Sequence, residues 1–238
     1  MQHKIEVKIL NPEECKTLFA DWGRFTSVCY HTDTDNPAPV GRGCMYSNHW
    51  SGSRWKYIAF EIKNCPRFVI DQVVRHEAGV VKNVESFRYV DKDNFSYVIP
   101  EDIKTDDDLV EEYWNHMRET LKLYEKIQNL VYEKTMQKER ANEQARYVLP
   151  MCTESSFCIA LTPEALIHLC NLRLCVRTED KNRELVKAMR DAVIEIVPEL
   201  SSRLIPQCEW LLWCPENKKS CGRFPTRSEL QNKLDSIK

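Results

Sequence analysis

Residues 106–138, DDDLVEEYWNHMRETLKLYEKIQNLVYEKTMQK, decide the class of fold. Leu109, Tyr113, Met117, Leu121, Tyr124, Ile127 and Val131 recur at helical intervals behind an acidic start, which predicts one long amphipathic helix. Outward from it the pattern changes. His3 to Leu10 alternates, with Ile5, Val7 and Ile9 on one face, as a half-buried strand does. Asn11-Pro12-Glu13-Glu14 starts a helix that runs into Leu18, Phe19 and Trp22. Residues 31–43, rich in Asp, Thr, Pro and Gly, read as an exposed loop. Tyr57 to Ile62 fits a strand or a short helix. Pro66 sits near the first turn of a helix through Phe68, Val69, Val73 and Val74. Tyr89 to Ile99 reads as a strand, a turn at Asp91–Asn94 and a second short strand. Glu143 to Arg146 extends the long helix or opens another, and Pro163 to Val197 carries one or two more. The expected architecture is α+β, with a mixed or antiparallel sheet and long helices. Its expected domains are 1–205, followed by a cysteine-containing extension over 206–238.

With 238 residues, 42% hydrophobic and 29% charged, the chain has the composition of a globular protein with a substantial core. Its net charge of −2 supplies no overall field for nucleic acid or membranes, so any anion site must come from local arginines. No stretch approaches the length of a transmembrane span. The start, MQHKIEVKIL, lacks the basic region, apolar block and cleavage site of a secretory signal. Eleven cysteines cannot all pair within one chain, and a chain this large has a core without staples. Reduced thiols in the cytoplasm are therefore expected.

The stretch QVVRHEAGVVKNVESFRY, Gln72 to Tyr89, asks for a functional explanation. On a continuing helix Gln72, Arg75 and His76 would share a face. Arg88 follows, preceded by Asn83, Glu85 and Ser86. Two guanidiniums, a hydroxyl and an amide can grip a phosphate and read polar atoms of an attached ring. A solvated charged turn, with Arg88 paired to Glu85, is the competing reading. In Leu166–Arg177 a second signal appears: Leu166, Leu169 and Cys170 form an apolar stripe that Arg173 and Arg177 continue. A buried arginine is costly unless paired, so these arginines either face a ligand cleft or find a local acid such as Asp180 or Glu179. Beyond Arg183 the stripe moves to Val186, Met189, Val193 and Val197. Arg146, before Tyr147-Val148-Leu149-Pro150, reads alone as a surface arginine.

Taken in order, these pieces resemble the flavin-dependent thymidylate synthases. The resemblance is carried by Gln72-Val73-Val74-Arg75-His76, Asn83 through Tyr89, Ala145 through Pro150 and Asn171-Leu172-Arg173. His49-Trp50-Ser51 and Thr178 through Arg183 extend it, so that it spans roughly residues 11–200. The resemblance implies that Ser86 and Arg88 hold the phosphate and sugar of dUMP beside Glu85, with Arg146 assisting. Arg173 would face the uracil and Gln72 would add a hydrogen bond. Arg75 would lie between nucleotide and flavin, with His76, His49, Asn83, Thr162 and His168 on the FAD side. Arg75 and Arg173 would be the catalytic side chains. It implies a homotetramer with sites where subunits meet, and reductive methylation of dUMP by FAD, NADPH and methylenetetrahydrofolate.

Several positions depart from the family pattern. Glu77 stands where the signature has a second arginine, and the Gly79-Val80-Val81-Lys82 loop is one residue longer than the commonest form. Arg54-Trp55 replaces Glu-His, Thr162 stands where asparagine is common, and Thr178-Glu179 replaces Ala-Gln. These changes keep two alternatives open: a related flavoenzyme modifying another pyrimidine nucleotide, and a non-catalytic nucleotide-binding homologue. Cys170 and Cys175 read as structural thiols. In the extension, Cys208, Cys214 and Cys221 are either reduced structural thiols or, with a fourth unidentified ligand, a zinc site.

Overall fold

The computed structural model describes residues 4–31 and 34–236. Its elements run β1 (Glu6–Ile9), α1 (Pro12–Lys16), α2 (Leu18–Cys29), α3 (Ala38–Tyr46), β2 (Ile58–Pro66), α4 (Arg67–Val73) and β3 (Val80–Val84). There follow α5 (Asp107–Thr135), α6 (Lys138–Ala145), β4 (Glu154–Leu161), α7 (Pro163–Arg173), α8 (Asp180–Ile196), α9 (Gln207–Leu211) and α10 (Arg227–Asp235). The strands form one antiparallel sheet in the order β1-β2-β4-β3, and the fold is α+β with long helices. The chain divides into two compact units. The first holds residues up to 6, 62–72 and 83–157; the second holds 7–61, 73–82 and 158 onward.

In the first unit the long helix forms as its sequence dictates. The Asp106 side chain caps α5 by accepting from the Leu109 amide at 3.0 Å, and Met136, at φ 54°, ends it. Only Met117 and Tyr124 of its apolar stripe are fully buried, while Leu109 is exposed. Glu143 to Ala145 neither extend α5 nor open a helix: they close the separate α6, which begins at Lys138, and a single 3-10 turn over Arg146–Val148 follows.

Tyr89 to Ile99 is not the expected pair of strands. Among the described residues it makes one isolated bridge, Tyr97 with Thr153, and Asp91 ties it to the helices that follow. Asp91 accepts from Gln128 at 2.8 Å and pairs with Lys138 at 2.9 Å, which holds the segment as an ordered loop.

In the second unit α2 buries Leu18, Phe19 and Trp22, while α8 buries Val186, Met189 and Val193, as their spacing predicts. Part of the expected 31–43 loop is helical instead. Of the glycines in that stretch, Gly41 serves helix contact with Gly23 of α2: a Cβ at Gly41 would fall 2.1 Å from the Phe19 carbonyl oxygen, and one at Gly23 would fall 1.8 Å from that of Pro37. Tyr57 to Ile62 resolves as strand, and the first strand begins at Glu6, with His3 outside the described residues.

Candidate functional site

The second unit contains a cavity of about 920 Å³, within the size of small-molecule sites. Trp50, Ile167 and Trp210 give it apolar wall, and Arg75, His76 and His168 give it polar groups. The backbone that brings Arg75 and His76 here is a turn, not a helix. The helix α4 stops at Val73, whose carbonyl accepts from the His76 amide at 3.1 Å. Gln72 therefore shares no helical face with Arg75 and His76; it ends half-buried on α4 in the first unit.

The longer Gly79 loop is a tight turn. The Val80 amide donates to the Glu77 carbonyl at 3.2 Å, and Gly79 takes φ +70°. That left-handed third position is what a type II turn requires and what glycine supplies. Its carbonyl accepts from the Thr162 amide at 2.9 Å, and a Cβ would come within 2.5 Å of Thr162 Oγ1. Thr162 in turn caps α7, accepting from the Ala165 amide at 3.2 Å ahead of Pro163. Although Thr162 lines the cavity, its buried hydroxyl serves the helix start.

On α7, Leu166, Leu169 and Cys170 are buried, and burial pushes the Cys170 thiol up to about 12. One turn on, Arg173 Nη2 lies 3.5 Å from Nε2 of His76, and the His76 and His168 rings meet edge-on at 6.1 Å. Burial first, then Arg173, His168 and Lys82, hold His76 below the ordinary imidazole range, so it is neutral at pH 7. The Arg173 Nε is buried without a hydrogen-bond partner among the described residues. Arg75 is exposed and has no acid partner among them.

Arg177 leaves the stripe for a different reason than the sequence implies. It pairs with Glu216 at 2.5 Å, while Asp180 pairs with Arg183. At the cavity, Arg54 and Glu164 form a two-point ion pair at 2.6 and 3.1 Å. His49 is exposed and does not line the cavity, whereas its neighbours Asn48 and Trp50 do.

The first unit has its own cavity, of about 410 Å³, lined by Arg67, Glu85, Ser86, Phe87 and Arg146 among others. Arg146 is exposed and has no acid partner among the described residues. Ser86 opens a turn, its carbonyl accepting from the Tyr89 and Val90 amides. Arg88 turns to Glu143 at 3.3 Å and lies over the Tyr89 ring, outside this cavity. Arg67, which the sequence reading missed, takes a place in the lining with its guanidinium 5.7 Å from the Phe87 ring.

Glu85 is not free to pair with Arg88. Burial works to raise its pKa, but hydrogen bonds from Lys92, the Ser156 amide and Ser155 outweigh it and hold the carboxyl below its usual range. Asn83 is exposed on β3 and lines neither cavity. Cys208, Cys214 and Cys221 line a third, small cavity in the second unit.

Polar groups thus gather around two cavities, Arg75, His76 and His168 in the second unit and Arg67, Ser86 and Arg146 in the first. Residues 20–199 match the family model described as Thymidylate synthase complementing protein. The chain is 31% identical to the flavin-dependent thymidylate synthase of Nitratidesulfovibrio vulgaris, over 95% of this chain and 97% of that one. It is 30% identical to that of Clostridium tetani over 75% and 74%, and 28% identical to that of Pyrococcus furiosus over 84% and 82%. The chain belongs to the flavin-dependent thymidylate synthase family.

Proposed function

We propose that this protein converts dUMP to dTMP, with FAD as its cofactor and methylenetetrahydrofolate and NADPH as cosubstrates. The observation that carries this reading is Arg173: a half-buried guanidinium with an orphaned Nε, set against a neutral His76. A buried donor without a partner costs about 1–3 kcal/mol, and a ligand acceptor recovers it. A uracil carbonyl is such an acceptor, and Arg173 would stabilise negative charge developing on the pyrimidine.

The 920 Å³ cavity fits a flavin in size and in donor set, with tryptophan walls for a ring system and Arg75, His76 and His168 for polar atoms. When bound, FAD supplies the hydride that completes the methyl group. Arg75 orients nucleotide and flavin, and the apolar walls exclude water. In the first unit, Ser86 and Arg146, joined by Arg67, hold the phosphate. Arg88 would reach the nucleotide only by leaving Glu143, and Gln72 would add a hydrogen bond. His49 and Asn83 lie outside the lining of the larger cavity, and the Thr162 hydroxyl is committed to the start of α7. No cysteine is assigned as a nucleophile, since the proposed reaction needs none, and burial on α7 pushes the Cys170 thiol up to about 12.

Completion of these half-sites by neighbouring copies in a homotetramer, placement of residues 206–238 as an extension of a 1–205 catalytic domain, and a cytoplasmic location belong to the same proposal. No helix of the described residues is long and apolar enough to cross a membrane. Anaerobic incubation with dUMP, FAD, NADPH and methylenetetrahydrofolate, followed by product mass measurement, tests the reaction. A product one methylene heavier than dUMP is expected. A differently modified nucleotide, or nucleotide binding without flavin, would overturn it.

A further inference from the structure

Four cysteines distant in sequence line one small cavity of the second unit: Cys175, just beyond α7, and Cys208, Cys214 and Cys221. All four are reduced. The cavity measures about 40 Å³, room for an ion or a water and too little for an organic ligand. Sequence reading leaves the three C-terminal thiols without a fourth partner and assigns Cys175 to structural burial. The fold brings Cys175 to them.

The segment that carries these thiols has little buried side-chain surface and is held by polar ties such as the Cys214 amide on the Pro225 carbonyl at 2.7 Å and Arg223 on Glu209. Neither α9 nor α10 buries a residue, and from Gln207 onward Cys214 is the one buried side chain among those described. Left-handed residues at Leu212 (φ 60°) and Asn217 (φ 47°) redirect the chain between one cysteine and the next, and Gly222 (φ 82°) turns it just after the last. Anchorage to α7 is polar: Asn171 donates to the Arg203 and Ile205 carbonyls, and Arg177 pairs with Glu216. Segments this poor in buried apolar surface are ordinarily fixed by a disulfide or a metal.

We propose that Cys175, Cys208, Cys214 and Cys221 form a tetrathiolate site for zinc that fastens the C-terminal extension to the end of α7. Four thiolates meet the tetrahedral preference of zinc, and a closed set with no open position makes the site structural. Among the described residues no metal-ligand set is already assembled. Uptake of the ion therefore draws the thiols inward, with the exposed Cys221 moving over a stretch that has no packing to lose. Each thiol that binds releases its proton to solvent.

The same extension carries Trp210 into the wall of the larger cavity, and Asn171 lines both cavities. The metal would thus fix a wall of the proposed flavin pocket without touching the ligand.

Metal analysis of the purified full chain tests the proposal, with expression under reducing conditions. We expect one zinc per chain, lost in C175S and C221S and retained in C29S and C158S, which change exposed cysteines outside the cavity. Where a variant fails to fold, cobalt titration of the chelator-treated natural protein gives the second measurement. Thiolate-to-cobalt charge-transfer bands with intense visible bands of tetrahedral coordination are expected, accompanied by a change in tryptophan emission. Absence of both metal and cobalt bands would overturn the site, as would an intact mass showing disulfides among these four thiols. Neither readout depends on turnover, so failure of the metal site and failure of the proposed reaction remain distinguishable.

Discussion

Nη2 of Arg173 lies 3.5 Å from Nε2 of His76, a permanent cation set against an imidazole that burial already discourages from charging. A carboxylate at the same distance would have raised the pKa of His76. Replacing Arg173 by Ala should therefore move the His76 titration upward while leaving it below the free-imidazole range, because burial remains. NMR titration of the ring protons checks this. The same variant should bind dUMP about 10–100-fold more weakly, the loss of one charge-assisted contact. Unchanged binding would remove Arg173 from the site.

The first-unit cavity should read phosphate rather than base. Arg146→Ala and Arg67→Ala are each expected to weaken dUMP binding by about tenfold while leaving the weaker binding of deoxyuridine unchanged. Calorimetry with both ligands separates the two arginines from a purely structural role, which would weaken both ligands alike.

Gly79 meets two constraints at once, its φ of +70° and the Thr162 hydroxyl that a Cβ would strike. Gly79→Ala should destabilise the protein by roughly 1–3 kcal/mol. Removing the hydroxyl as well, in Gly79→Ala/Thr162→Ala, should not restore stability, because the backbone strain stays and the α7 cap, worth about 1 kcal/mol, is lost. Chemical denaturation measures both.

Glu85 binds protons less readily in the folded protein than in the unfolded chain. Its contribution to stability is complete above the unfolded value of about 4.3 and is lost as pH falls through the depressed folded value. Glu85→Gln should therefore be less stable than the natural protein at pH 7, with the difference shrinking as the solution is acidified. Unfolding midpoints across that range check the sign.

Helix α5 and the buried stripes of α7 and α8 were legible because periodicity reports local amphipathicity directly. The 31–43 stretch was not, because glycine and proline signal turns in sequence, while Gly23 and Gly41 act through a helix contact between distant residues. Arg75 and His76 were found as a pair, yet the helical face expected for them with Gln72 does not form, since α4 ends at Val73, where the His76 amide bonds the Val73 carbonyl. Arg67 gave no signal beside its i+4 partner Asp71, and Cys175 reaches its thiol neighbours only through the fold.

The glycines of α2 and α3 also bear on how this sequence can change. At Gly23 and Gly41 the obstacle is neighbouring main chain, which no substitution elsewhere can trim. Ordinary core positions drift through compensating pairs, a larger side chain here and a smaller one there. These two have no such route. Random mutagenesis should leave both untouched while the solvent faces of the same helices diversify, and a redesign of this region would have to begin with its backbone.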